Sequence, residues 1–129
     1  MTISKKEKTN IVIHDFVQDR GRPGRKLYSA KVGGVFISRL VLDPGTKVGD
    51  HYHKKTAVTL YVGSGSILGR FENVTTKKRK EVQIRPRTGA IHLPAGVAIS
   101  LENMSKKKVT VIIFSDAKLN TGDEYLYDL

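Results

Sequence analysis

Apolar side chains recur along this chain in short β-type runs separated by turn residues. The runs predict strands over 11–16, 27–32, 35–42, 58–62, 66–71, 81–85, 90–93, 97–101 and 109–115. Between them stand breakers: Gly33-Gly34, Pro44-Gly45, Gly63-Ser64-Gly65, Pro86 with Gly89, Pro94 to Gly96, and the polar stretch 103–108. Many short strands at this spacing predict an all-β sandwich or closed barrel. No stretch carries a long helical period, so little helix is expected. Alternation assigns the faces: Val58, Leu60 and Val62 form one row, with Thr59 and Tyr61 opposite. Val97, Ile99 and Leu101 form another apolar row, backed by Ala98 and Ser100. Rows of this kind ordinarily fill a core.

Neither a repeat nor a linker divides the chain, and 129 residues with 39% hydrophobic content suit one domain with its own core. The expected organisation is a flexible basic tail over 1–9 and a β domain over 10–129. No apolar run approaches the roughly 18 residues of a membrane span, and the first residues lack the apolar core of a secretory signal. Having no Cys, the chain can form no disulfide, thiolate zinc site or Cys nucleophile, and the cytoplasm is the expected compartment.

Charge changes the picture only in part. Lys and Arg number 23 against 12 Asp and Glu, a net charge of +11. Such an excess attracts polyanions, phosphorylated metabolites or anionic surfaces. Its distribution favours plain solvation: Lys5, Lys6 and Lys8 sit in the tail, 77–80 fill one predicted turn, and 106–108 fill another. The stretch Arg20 to Lys26, RGRPGRK, has the composition of a minor-groove arm, but one copy containing Pro and Gly more often makes a turn between strands. Nucleic acid is therefore not the expected partner. A small anionic or sugar ligand is.

The candidate chemistry lies in GTKVGDHYHKKTAV, 45–58, where His51 and His53 stand one residue apart. Side chains at that spacing share one face of a strand. Two imidazoles on one face suit a metal, or a substrate that needs a base.

Spacing around this pair resembles the first motif of the cupin superfamily. Gly45, His51, His53 and Gly65 match it, with Val58 where the motif has Glu. Gly89, Pro94, Gly96 and Asn103 match the second motif, with Ile99 where it has His. The resemblance implies a single-domain cupin, a jelly-roll barrel with little helix, in which His51 and His53 face the cavity. Metal-holding cupins use two His, one Glu and one further His. Val58 and Ile99 cannot coordinate, and His92 is expected to point away from the face shared by Ile91 and Leu93. No metal or other cofactor is therefore expected; His51 and His53 would be the ligands if a divalent ion bound.

HYHKKTAV further resembles the His-x-His-Lys opening of the metal-free cupins that isomerise or epimerise nucleotide-linked 4-keto sugars. HDFVQDRG and DEYLYDL are similar to the two ends of that group. Phe36 and Arg39 replace the Tyr of that branch, and Val58 replaces a polar amide. The resemblance implies His51 and His53 as acid/base residues of a sugar isomerase or epimerase. Arg39, Tyr61, Arg70, Val58 and Ile99 are the expected substrate contacts, although Arg70 shares its strand face with Leu68. Arg85 and Arg87 are further guanidiniums that could meet a diphosphate. A non-catalytic binding or sensor cupin, and a divalent-metal cupin with a reduced ligand set, are the alternatives. Edge strands covered by a second copy make a homodimer the expected assembly.

Overall fold

Chain-wide alternation of apolar and polar positions becomes two antiparallel sheets packed on one core. The computed structural model describes residues 9–119 and 122–129. In chain order the strands are β1 (Val17–Gln18), β2 (Arg25–Val32), β3 (Val35–Leu42), β4 (Lys47–Tyr52), β5 (Val58–Ser64) and β6 (Ile67–Asn73). They continue with β7 (Arg79–Ile84), β8 (Ile91–Leu93), β9 (Val97–Glu102), β10 (Val109–Ser115) and β11 (Tyr125–Leu126), and a single 3-10 turn spans Pro86–Thr88. One sheet runs β1-β2-β3-β10-β5-β8 and the other β11-β4-β9-β6-β7, every neighbouring pair antiparallel. This is a jelly roll: from β3 onward every connection except β6 to β7 crosses between the sheets, which pack with one face of each on the shared core. Among the described residues no helix is long and apolar enough to cross a membrane.

Inward rows are those the alternation predicts. Val58, Leu60 and Val62 of β5 meet Val109, Val111 and Ile113 of β10 and Leu40 and Leu42 of β3, all buried. The facing sheet adds Ile67, Phe71, Ile84 and Leu101. Each such side chain contributes about 1.5–3 kcal/mol relative to exposure, so this row-on-row contact is the main stabilising term.

Motif positions that matched by spacing carry turns. Asn103, with no exposed surface, donates to the carbonyls of Leu42 at 3.1 Å and Lys107 at 2.8 Å. Its side-chain oxygen accepts from the Ser105 amide and hydroxyl, while its own carbonyl takes the Gly45 amide at 2.8 Å. One amide thereby ties the end of β9 to the approach to β4.

One expected strand is absent, strands β4 and β11 were not expected, and one expected segment lies elsewhere. Residues 11–16 form no strand; Asn10 adopts φ 58°, and Ile11, Val12, Ile13 and Phe16 are exposed. Their β propensity finds no neighbouring strand to pair with, and such propensity means little without one. β4 was not foreseen because KVGDHY contains Gly and Asp and lacks clean alternation. β11 is two residues long and follows no apolar run. The basic tail, apart from Thr9, lies outside the described residues.

Candidate functional site

A bulge in β4 sets the aim of the first histidine. Opposite β9, Gly49 pairs with Ser100 and His51 with Ile99, leaving Asp50 as the extra residue. The bulge needs two left-handed residues, Gly49 at φ 103° and Asp50 at φ 57°. Only glycine fits the first, because a Cβ there would lie 2.4 Å from the Ile99 carbonyl oxygen. Past the bulge, His51 and His53 point to one side with ring centroids 5.0 Å apart and planes at 79°. Tyr52, between them, turns to the other face against Tyr125 and Tyr127.

Both imidazoles open into a cavity of about 280 Å3. Leu27, Leu40, Val58, Leu60, Ile99 and Ile113 are among its apolar lining; Arg22, Arg25, His51, His53, Thr56 and Glu124 are its polar lining. Of the expected contacts, Val58 and Ile99 do line this space. Arg39, Tyr61 and Arg70 do not. Inward places on β3 go to Ser38, Leu40 and Leu42, so Arg39 turns outward over the rings of Tyr28 and Phe16. On β5 the same alternation sends Tyr61 outward against Phe114. On β6, Ile67, Gly69 and Phe71 face in; Arg70 faces out and pairs with Glu81 at 3.2 Å and Glu102 at 2.9 Å. Arg85 and Arg87 are exposed and take no part in the lining. His92 is exposed, its Nδ1 2.9 Å from the Thr59 hydroxyl.

Glu124 is the site residue that sequence reasoning missed. Its Oε1 lies 3.9 Å from His53 Nε2, and one donor atom from each of His51, His53 and Glu124 fits within 4.8 Å of the others. Asp123 brings it there. That carboxylate accepts the amides of Lys54 at 3.1 Å, Lys55 at 2.9 Å and Thr56 at 2.9 Å, and the Thr56 hydroxyl at 2.9 Å. Partial burial works to raise the Asp123 pKa, but these hydrogen bonds, led by the one from Lys55, bring it down to about 2. The same segment pairs with β4 through Tyr125↔Tyr52 and Leu126↔His51, and Tyr127 hydrogen-bonds Glu72. Nothing in the spacing of GDEYL foretells this docking; the signals are two acidic residues in a basic chain and the likeness of DEYLYDL to the end of the metal-free group.

Electrostatics distinguish the two imidazoles. Burial lowers the His51 pKa, with His53 and Arg22 acting in the same direction against Glu124 and a hydrogen bond to the Gly49 main chain. His53 is 9% exposed, and its Nε2 has no hydrogen-bond partner. Two imidazoles and a carboxylate can pass a proton between them, or they can hold a divalent cation.

A sequence model of the family described as "Polysaccharide biosynthesis C-terminal domain" matches residues 17–125. No curated protein matches the chain in sequence. Among solved structures it is similar to the capsular polysaccharide assembling protein CapF from Staphylococcus aureus, at TM-score 0.78 and 17% identity over 95% of this chain and 34% of that one. It is also similar to an oxalate oxidase, at TM-score 0.64 and 17% identity over 73% of this chain and 51% of that one. The 7S globulin of Momordica charantia gives TM-score 0.70 and 18% identity over 86% and 35%. The chain thus spans about a third of CapF and half of the oxidase. At these identities the likeness is one of fold, and that fold is the cupin fold.

Proposed function

We propose that this chain, which belongs to the polysaccharide biosynthesis C-terminal domain family, binds a sugar-derived carbonyl compound in the cavity beside His51 and His53 and isomerises or epimerises it. The family description and the capsular polysaccharide assembly named for CapF both support a sugar as the substrate class. One observation carries the reaction type: two imidazoles and the Glu124 carboxylate converge in the lining of a partly apolar cavity.

His51 takes a proton from the carbon beside the carbonyl. The C–H electron pair moves to the carbonyl oxygen and forms an enolate. His53, its Nε2 3.9 Å from the Glu124 carboxylate, returns a proton to the neighbouring carbon or to the opposite face of the same carbon. In the first outcome the hydroxyl of the deprotonated carbon passes its proton to the enolate oxygen, so the carbonyl moves to that carbon; in the second the carbonyl re-forms and the centre is inverted, and atoms and charge balance in both. Val58 and Ile99 keep the reacting carbon out of bulk water. General acid–base catalysis of this kind supplies roughly 10²–10⁴ in rate.

The experiment is solvent deuterium exchange, followed by NMR, on a panel of keto sugars and nucleotide-linked 4-keto sugars. Exchange by the native chain, lost in His51→Asn and His53→Asn, supports the reading. Binding without exchange leaves a sensor or carrier; neither binding nor exchange ends the sugar reading.

A second reading rests on the buried His53 Nε2, which has no hydrogen-bond partner. His51, His53 and Glu124 supply the three donors that a divalent cation needs, Glu124 replacing the carboxylate lost at Val58. The readings exclude each other, since the same lone pairs would serve metal or proton. Metal analysis of untagged protein decides: stoichiometric zinc, manganese, iron or nickel, lost in Glu124→Gln, selects the metal.

A further inference from the structure

The RGRPGRK stretch, which the sugar reading leaves unused, forms one wall of the cavity. Arg22 and Arg25 face each other across a tight turn, each amide bonding the other's carbonyl, at 3.4 and 3.1 Å. Pro23 and Gly24 occupy the corner, Gly24 at φ 79°. A Cβ on Gly24 would meet the Thr46 hydroxyl at 2.3 Å, so the turn lies flat against the approach to β4. Both arginines line the cavity, but they differ in state. Arg25 is buried and forks onto Asp19, with contacts of 2.9 and 3.3 Å. Arg22 is exposed at the mouth and makes no ion pair or side-chain hydrogen bond to a carboxylate among the described residues.

Every other arginine considered for an anion is excluded by position. Arg39 and Arg70 face outward, and Arg85 and Arg87 do not line the cavity. His51 meanwhile feels an anion, Glu124, and a cation, Arg22. A ligand carrying negative charge is repelled from the Glu124 side and drawn to Arg22.

We propose that Arg22 is an anion anchor, seating a carboxylate or phosphate substituent of the sugar at the cavity mouth while the carbon to be deprotonated lies against His51. The inference rests on the sugar reading above and adds the substrate's charge and its orientation. A planar guanidinium suits either oxyanion, because both accept two parallel N–H donors. It also accounts for the turn: an arm for the minor groove needs loose arginines, whereas here Arg25 is spent internally and the backbone is pinned.

The test reads binding without turnover. Calorimetry with glucuronate, glucose 1-phosphate and neutral methyl glucoside is run on the native chain, Arg22→Gln, Arg22→Lys, and Arg39→Gln as an outward-facing control. We expect the native chain to bind at least one anionic sugar about tenfold or more tighter than the neutral one, as one charge-assisted hydrogen bond supplies. Arg22→Gln should abolish that ratio and Arg22→Lys restore only part of it. Which anionic sugar wins separates carboxylate from phosphate. An unchanged ratio in Arg22→Gln, an equal loss in Arg39→Gln, or no preference in the native chain overturns the proposal. An Arg22-dependent preference without deuterium exchange would sink the isomerase reading alone.

Discussion

Replacing Gly49 by Ala tests whether the β4 bulge is as tight as its geometry says. Two costs add. At φ 103° an L side chain is strained by about 1–2 kcal/mol. The new Cβ also lies 2.4 Å from the Ile99 oxygen, 3.0 Å from Ser100 Cα and 3.1 Å from the Ile99 carbonyl carbon. All three are main-chain atoms of β9, so no side chain can swing aside and the strands must part, at about 1–3 kcal/mol. The sum is about 2–5 kcal/mol. Gly45→Ala is the matched control: its φ is 78°, but a Cβ there meets nothing within 4 Å, leaving only the smaller strain cost. Urea unfolding of both variants measures the difference directly, provided that the slopes agree. In a thermal scan each kcal/mol moves the midpoint by roughly 3–5 °C in a domain of this size. The variant should also lose sugar binding, because His51 is held by the bulge it disturbs. A Gly49→Ala chain within about 0.5 kcal/mol of Gly45→Ala, against the extra 1–3 kcal/mol expected for the clash, would refute the reasoning.

Asn103→Ala strands the Leu42 and Lys107 carbonyls and the Ser105 amide, and should cost about 1–3 kcal/mol for each buried group left without a partner; a denaturation midpoint equal to the native one would show that water replaces the amide. The depressed Asp123 pKa means that its stabilising effect is complete above the usual carboxylate value of 3.8 and is lost as pH falls through about 2. Hydrogen-exchange protection of the Lys55 and Thr56 amides should thus hold from pH 7 to 5 and fade between 4 and 2; loss already above pH 5 would contradict it. Exposed Ile11, Val12, Ile13 and Phe16 beside the edge strand β1, with Val17 in it, give a second copy something to cover, and a homodimer is the expected state; a monomer at 100 micromolar by analytical ultracentrifugation would end that expectation.

Nearly all of the fold was legible because its signals are local. Alternation in β5 and β10 reports the core face residue by residue, and glycines, prolines and Asn103 mark where the chain must turn. β4 escaped because its purpose is to bend: Gly49 and Asp50 break the alternation that reveals a strand, and the same break aims His51. The arginines failed for a related reason. Arg39 and Arg70 sit on strands whose inward places are all taken by small or apolar residues, so alternation weighed strand by strand would have turned them outward. Arg22 looked like part of a basic loop because its neighbour Arg25 finds its carboxylate, Asp19, only after the chain folds back.

Glu124 was illegible for a different reason, and that reason bears on the chemistry. A carboxylate borne by a strand is fixed by its ladder, and its place in a motif can be read from spacing. Here the strand position is Val58, and the carboxylate arrives across 67–69 positions of chain, the separation spanned by Asp123's bonds to 54–56. The strands between are already folded into the two sheets, so the cost is that of ordering the docked segment itself, and the four hydrogen bonds at Asp123 with the short β4–β11 pairing oppose that cost. The polar half of the site therefore depends on a docked segment, while the apolar half is built into the core. Asp123→Asn should separate the two: the core stays folded, His51 and His53 keep their bulge, and Glu124 loses its anchor. If sugar affinity survives this change while proton exchange falls, Glu124 serves the reaction; if both survive, the two imidazoles suffice and Glu124 is a bystander.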